Sequence, residues 1–491
     1  MVHFPFDNRY VQLPARFHAQ ATPTPVRAPT LLQLNRKLAE ELGLDADALA
    51  QDDGVAILAG NQLPEGSDPL AMAYAGYQFG MWVPLLGDGR AILLGEVVDR
   101  NGMRRDIQLK GAGPTPFSRR GDGRAGIGPV LREYLLSESL AALGVPTTRS
   151  LAAIKTGEPI FRRRPEPGAV LTRVAESHIR VGTFQYFGTR RDDEAVQLLA
   201  DHTIERHFPQ ANDAKNRYIG LLDAVIANQA KLVAQWQLVG FIHGVMNTDN
   251  CSIAGQTLDY GPCAFMDSYH PNTVFSSIDR RGRYAYRNQP TMAQWNLVGF
   301  AETLLPLFDD EEGTAIEMAK ESLQRFATHF ENEQLSGWRK KLGLTTEDPS
   351  DADLIEQLLK SMAENHADFT LTCRHLCALS ADDPDRDGPV RERFDDPSPF
   401  DEWAARWRLR LRQENSSDVP RQRLMRSANP AFIPRNHRVE EALQAAEEEN
   451  LKPFETLLKV LETPYDDQPE HEPLSAAPRP DQVVHETFCG T

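Results

Sequence analysis

The sequence predicts an α+β protein of two lobes, β-rich first and mostly helical after, followed by an extended tail. Three observations lead there. Short strand-like runs occur at 91–98 and 106–110, in the first half of the chain. From about 193 the apolar spacing becomes helical, and it recurs through 290–335, 351–380 and 436–462. Between these, 241–278 is an interrupted stretch rich in Asn, Asp, Gly and Cys, the texture of loops carried on a rigid scaffold.

Each element has its own signal. Residues 30–50 read as helical, with Leu31, Leu32, Leu34, Leu38 and Leu42 on one side. Gly87-Asp88-Gly89 and Arg100-Asn101-Gly102 predict hairpin turns around the strand-like runs, because Asp-Gly and Asn-Gly tolerate the positive φ such turns need. Residues 118–128 form a Gly/Arg-rich loop. A helix follows over 129–143, with Pro129 in its first turn, an apolar stripe of Val130, Leu131, Tyr134 and Leu135, and a stop at Gly144 and Pro146. A second pair of strands is expected near 151–175. Several Pro and many acids make 463–491 an extended, flexible tail. The predicted division is an N-terminal extension over 1–70, a β-rich lobe over 71–190, a helical lobe over 191–462 and the tail over 463–491.

At 491 residues the chain is longer than one hydrophobic core usually serves, and its 41% apolar content suffices for packed lobes. A formal charge of −17 argues against nucleic acid as a main partner, and it requires any phosphate site to be a local basic pocket. No apolar run approaches the roughly 18–20 residues that span a bilayer, so no membrane is expected. The opening residues do not read as a signal peptide. Five cysteines are too few for a disulfide framework, and a reducing cytoplasm is the expected location. Cys373-Arg374-His375-Leu376-Cys377 reads as a helix with two buried thiols. Cys489, three residues from the end, reads as a thiol able to meet a partner.

The chemistry-bearing residues fall in a telling order. Lys110 closes a strand and Glu133 lies one turn into the next helix, the pairing that fixes an ammonium against nucleotide phosphates; taken alone, a surface lysine and a solvated glutamate are the plainer reading. His243-Gly244-Val245-Met246-Asn247-Thr248-Asp249-Asn250 keeps the His-to-Asn spacing of the protein-kinase catalytic loop. Leu258-Asp259-Tyr260-Gly261 follows as a variant of the kinase D-F-G triplet. Asn250 and Asp259 offer the hard oxygen ligands that Mg²⁺ prefers. The kinase base position holds Val245, which accepts no proton. Either the fold is catalytically dead or Asp249 has taken over as base. The Gly87-Asp88-Gly89-Arg90 turn lies where a nucleotide-covering hairpin would lie, and Arg119, Arg120 and Arg124 around Asp122 and Gly123 suit a polyphosphate. Arg173 and Arg180 are phosphate clamps or structural ion pairs; spacing leaves both open. The fold class is therefore protein-kinase-like.

Long strings carry a closer resemblance. Tyr74-Ala75-Gly76-Tyr77-Gln78-Phe79-Gly80, the run from Gln108 to Arg119, the run from His243 to Asn250 and Asn429-Pro430-Ala431-Phe432-Ile433-Pro434-Arg435-Asn436-His437 resemble the selenoprotein O family, called YdiU in bacteria. These are adenylyltransferases with a pseudokinase fold, and the match runs nearly end to end. The resemblance implies transfer of AMP from ATP to Ser, Thr or Tyr hydroxyls of proteins, with ATP turned around relative to kinases and pyrophosphate released. It implies nucleotide contacts from Gly87, Gly89, Arg90, Lys110, Asp122, Gly123, Arg173, Arg180 and Asp259. It further implies Mg²⁺ on Asn250 and Asp259, with Mn²⁺ able to substitute, and Asp249 as proton acceptor. Some members carry selenocysteine near the C-terminus, and the matching place is Cys489, so redox control is implied. The competing readings are an ordinary phosphotransferase, against which Val245 counts, and a non-catalytic nucleotide-binding redox sensor.

Overall fold

The computed structural model describes residues 2–162, 164–414 and 416–488. In chain order its strands are β1 (His18–Gln20), β2 (Thr30–Leu34), β3 (Leu70–Met72), β4 (Gly76–Gln78), β5 (Met81–Val83), β6 (Ala91–Val98), β7 (Arg104–Lys110), β8 (Ala125–Gly126), β9 (Arg149–Phe161), β10 (Pro165–Ala175), β11 (Phe241–Ile242) and β12 (Ala264–Phe265). Helices α1 (Arg36–Glu41), α2 (Ala46–Leu49) and α3 (Asp52–Leu58) are short; α4 (Ile127–Ala142) and α5 (Val181–Gly188) flank β9 and β10 in sequence. The rest are α6 (Asp193–His207), α7 (Arg217–Leu238), α8 (Gln289–Phe308), α9 (Glu312–Leu342), α10 (Asp351–Glu364), α11 (Phe369–Leu376), α12 (Gly388–Arg391), α13 (Ser398–Leu411), α14 (Asp418–Ala428), α15 (Asn436–Glu447) and α16 (Lys452–Leu461).

The main sheet is antiparallel, in the order β1-β3-β6-β7-β10-β9-β2, with β8 against β10. The β6–β7 turn is tied by the Asp99 carboxylate, which accepts from the amides of Asn101 and Met103, while Gly102 takes φ +79°. Register then decides what shares an address: Lys110 stands opposite Leu171, and Gln108 opposite Arg173. One face of the sheet packs α1–α3 through Leu38, Leu49, Ile57, Ile107 and Ile154. The other packs α4, which α15 and α16 cover in turn through Leu131, Leu135, Phe454 and Leu457. Full burial of each such side chain contributes about 1.5–3 kcal/mol, enough to pin α4 and hence Glu133.

Two sequence expectations fail here. Residues 30–50 are not one helix. Thr30–Leu34 is an edge strand paired with β9, and the helix starts only after Asn35, whose side chain accepts from the Leu38 amide as N-cap. Leu31 and Leu34 serve sheet burial, so the leucine spacing mixed two periods. The tail also differs through residue 488, since it is laid along the body. The Pro464 carbonyl accepts from Ala431 and Phe432, and the Tyr465 hydroxyl donates to Leu143. The Thr487 amide donates to Phe275 at 2.7 Å. Proline and acid content hid these anchors, which are mostly backbone groups. Cys489 lies outside the described residues. Cys373 and Cys377 are buried free thiols at the end of α11, as expected. Among the described residues no helix is long and apolar enough to cross a membrane.

Candidate active site

A cleft of about 1520 Å³ lies against the ends of β6, β7 and β10, α4, the loop after β11 and α15. The residues expected to meet nucleotide, cation or proton line it, together with Glu133: Gly87, Gly89, Arg90, Lys110, Asp122, Gly123, Arg173, Arg180, Asp249, Asn250 and Asp259. The sequence brings these together from positions up to 172 apart.

At its floor three cations meet two carboxylates. Lys110 Nζ lies 2.5 Å from Glu133 Oε2 and 3.3 Å from Asp259 Oδ1. Arg173 Nη2 bridges Glu133 Oε1 at 2.6 Å and Asp259 Oδ1 at 2.7 Å. Arg180 Nη1 donates to Asp259 Oδ2 at 2.7 Å and to the Asp249 carbonyl at 2.6 Å, and its guanidinium stacks 4.6 Å over the Tyr74 ring. Burial alone would raise the Asp259 carboxyl, but Arg173, Arg180 and Lys110 outweigh it and hold the group well below its usual range. Burial lowers the Lys110 ammonium, and the Glu133 carboxylate opposes that shift. Arg173 and Arg180 are thus ion-paired in this structure, with the buried Asp88 carboxyl 3.9 Å from Arg180 Nη2 as a further acidic neighbour.

The loop after β11 is held from two sides. His243 Nδ1 accepts from the Val245 amide, so Nε2 carries the proton it donates to the Leu258 carbonyl at 2.9 Å. His243 therefore couples the Asp249 loop to the Asp259 loop. On the other side the β4–β5 hairpin clasps the loop. The Tyr77 amide donates to Thr248 Oγ1 and the Phe79 amide to Asn247 Oδ1. Gln78 Nε2 donates to Asp249 Oδ2 at 3.2 Å, while Oδ1 is buried with no partner among the described residues. Burial pushes the Asp249 carboxyl up to about 6.

Asn250 fits a cation ligand. Its Nδ2 donates to the Val245 carbonyl at 3.0 Å, leaving the amide oxygen for the cleft. Among the described residues no group of three or more His, Cys, Asp or Glu could hold a metal. A cation here would need phosphate oxygens and water beside Asn250 and Asp259, the arrangement Mg²⁺ accepts.

Gly87 has the positive φ expected of its turn, +63°. A Cβ there would strike the Phe117 ring at 2.3 Å; the turn is set by packing onto Phe117. Asp122 is half-exposed and pairs with Arg162 at 2.7 Å. Sequence reasoning assigned no role to Tyr74, Asp88 or Gln78. Buried Asp88 accepts from the Met72 amide and Gln108 and so fixes the turn. The only signal for Tyr74 and Gln78 was the family string that contains them. A Cβ at Gly76 would meet Asp249 Oδ1 at 2.7 Å. Gly76→Ala is therefore expected to displace that carboxylate and lower kcat about 10- to 100-fold at unchanged nucleotide affinity, by steady-state kinetics and calorimetry.

Comparison with known proteins follows the geometry. A family model described as protein adenylyltransferase SelO matches residues 1–462. The chain is similar to the protein nucleotidyltransferase YdiU of Bradyrhizobium diazoefficiens, 60% identical over 491 residues that cover both chains entirely. It is 59% identical to the protein of that name from Rhodopseudomonas palustris over 491 residues, again the whole of both chains. The protein of that name from Methylorubrum populi is 59% identical over 494 residues, 99% of each chain.

Proposed function

The chain belongs to the protein adenylyltransferase SelO family and is a nucleotidyltransferase; on that premise we propose that it transfers AMP from ATP to Ser, Thr or Tyr hydroxyls of proteins. The observation that carries this reading is the one buried carboxylate oxygen of the cleft that has no hydrogen-bond partner among the described residues. Val245 occupies the kinase base position, yet Asp249, four residues on, offers a buried carboxylate whose Oδ1 accepts nothing.

In this reading the acceptor hydroxyl attacks the α-phosphorus of ATP and its proton passes to Asp249. The bond to the bridging oxygen breaks, and pyrophosphate leaves. Lys110, Arg173 and Arg180 face the developing negative charge as preorganised donors, a contribution of about 2.7–4 kcal/mol for one well-aimed group. Mg²⁺ on Asn250 and Asp259, or Mn²⁺ in its place, would supply Lewis-acid polarisation of the phosphates. Arg90, Gly87, Gly89, Asp122 and Gly123 would flank the nucleotide. A carboxyl near 6 suits a base, since it is ionised at neutral pH while still accepting a proton readily. Two kinase-like lobes, over 71–190 and 191–462, with an extension over 1–70 and a tail over 463–491, form part of the proposal. So does redox control through Cys489, whose neighbour Thr487 is anchored beside the cleft.

The test is label discrimination. ATP carrying label on the α- or the γ-phosphate is incubated with the protein, Mg²⁺ and a general protein acceptor. Transfer of α-label alone is expected. Transfer of γ-label alone would return the chain to phosphotransfer and overturn the reading.

A further inference from the structure

An acidic molecule has built a basic rim beside the candidate base. Residues 278–287 contain Arg280, Arg281, Arg283 and Arg287 but a single acid, Asp279, in a chain of formal charge −17. Asp279 is committed to backbone: its two oxygens accept from the Arg283 and Tyr284 amides at 2.9 and 2.8 Å. Among the described residues none of the four arginines pairs with a carboxylate, and Arg280, Arg281 and Arg287 are exposed. Arg162 and Arg325, by contrast, each pair with a carboxylate.

The segment's position is fixed at both ends. Ile278, 61% exposed, lines the cleft. The Tyr284 hydroxyl donates to Asn247 Oδ1 at 2.7 Å, two residues before Asp249. Arg283 stacks 4.7 Å over Trp295 and lies beside Gly80 of the hairpin that clasps the loop. The turn carrying Arg280 and Arg281 thus lies between a residue that lines the cleft and one that bonds the Asp249 loop, with the two arginines outside the lining itself. Exposed Ile278 and Met81, the latter 73% exposed, add apolar surface on the same side.

We propose that this rim docks the acceptor protein, and that it selects segments in which the hydroxyl is flanked by acidic residues. The proposal rests on the transferase reading for the word acceptor. Charge complementarity is its physical basis. At physiological ionic strength the screening length is about 8 Å, so an approaching segment responds to the local arginines and little to the remote negative charge. Phosphates of the nucleotide would be met by a different set, Lys110, Arg173 and Arg180, so the rim's charge is spare. The net charge disfavours nucleic acid as the occupant.

The experiment uses the full chain and three fluorescent peptides, each with one Ser, flanked by Glu/Asp, by neutral residues or by Lys/Arg. Binding is read by anisotropy without nucleotide, and AMP transfer by α-label. Wild type is expected to bind the acidic peptide about tenfold tighter than the basic one. Arg280→Glu/Arg281→Glu should abolish or invert that order while ATP affinity, measured by calorimetry, stays unchanged. Arg280→Lys/Arg281→Lys should retain it. Equal binding of the three peptides, indifference to charge reversal, or tighter binding of a single-stranded oligonucleotide than of the acidic peptide would overturn the proposal. If the acidic preference holds while no peptide gains AMP, the docking surface stands and the transferase reading fails.

Discussion

Asp259→Asn is expected to lower AMP transfer by about a thousandfold or more and to lower Tm. The carboxylate is the shared partner of Lys110, Arg173 and Arg180, and in the proposed reaction it is also a cation ligand. Neutralising it leaves three buried cations against Glu133 and the more distant Asp88, and turns one oxygen into an amide donor that faces a guanidinium. Breaking a buried pair in this way costs about 3–5 kcal/mol. The sign with pH is definite. The folded carboxyl lies below its ordinary 3.8, so its stabilisation is complete above that pH and is lost only in stronger acid. The variant should therefore be less stable than wild type throughout the neutral range, by thermal unfolding followed with circular dichroism. Turnover close to wild type, assayed below the variant's Tm, would remove Asp259 from the mechanism.

Asp249→Asn should do the opposite to stability while also stopping transfer. The folded carboxyl is raised from 3.8 to about 6, so the folded state prefers it neutral and holding it ionised costs stability. That cost grows as pH rises from the unfolded value through the folded one, and at neutral pH it is on the order of 3 kcal/mol. Asparagine removes it. Metal-free Asp249→Asn should melt above wild type at pH 7.5, and the gap should close near pH 4. Transfer should fall about 10²- to 10⁴-fold, the usual loss for a general base, with nucleotide affinity retained in calorimetry. A lower Tm at both pH values would mark Asp249 as a structural group. Loss of nucleotide affinity would mean its role is not that of a base.

These opposite signs could not be read from the sequence, which gave both residues as carboxylates in loops. Spacing did pick out Lys110, Glu133, Asn250 and Asp259, which the structure brings to one cleft, because the strand, helix and loop motifs around them are local. Gly144 and Pro146 ended α4 within two residues of the expected place, since C-terminal stops act through neighbouring φ angles. What stayed hidden was non-local. Arg173 and Arg180 were undecided between two roles because their partners lie 40 to 86 residues away. Gln78 carried no signal of its own, because its partner Asp249 lies 171 residues away. Leu31 and Leu34 misled because a short edge strand and a helix can share a leucine spacing over five residues. The tail misled because its anchors are carbonyls and amides, which every residue possesses.

That tail leaves the cleft open to a particular kind of damage. The Thr487 amide and carbonyl pair with Phe275 and Ser277, and its hydroxyl donates to the Pro262 carbonyl at 2.5 Å, three residues after Asp259. Part of the border of the cleft is therefore a segment 225 residues along the chain from the loop it meets. A single proteolytic nick in the stretch leading to Thr487 would loosen this border and leave the ion-pair floor intact.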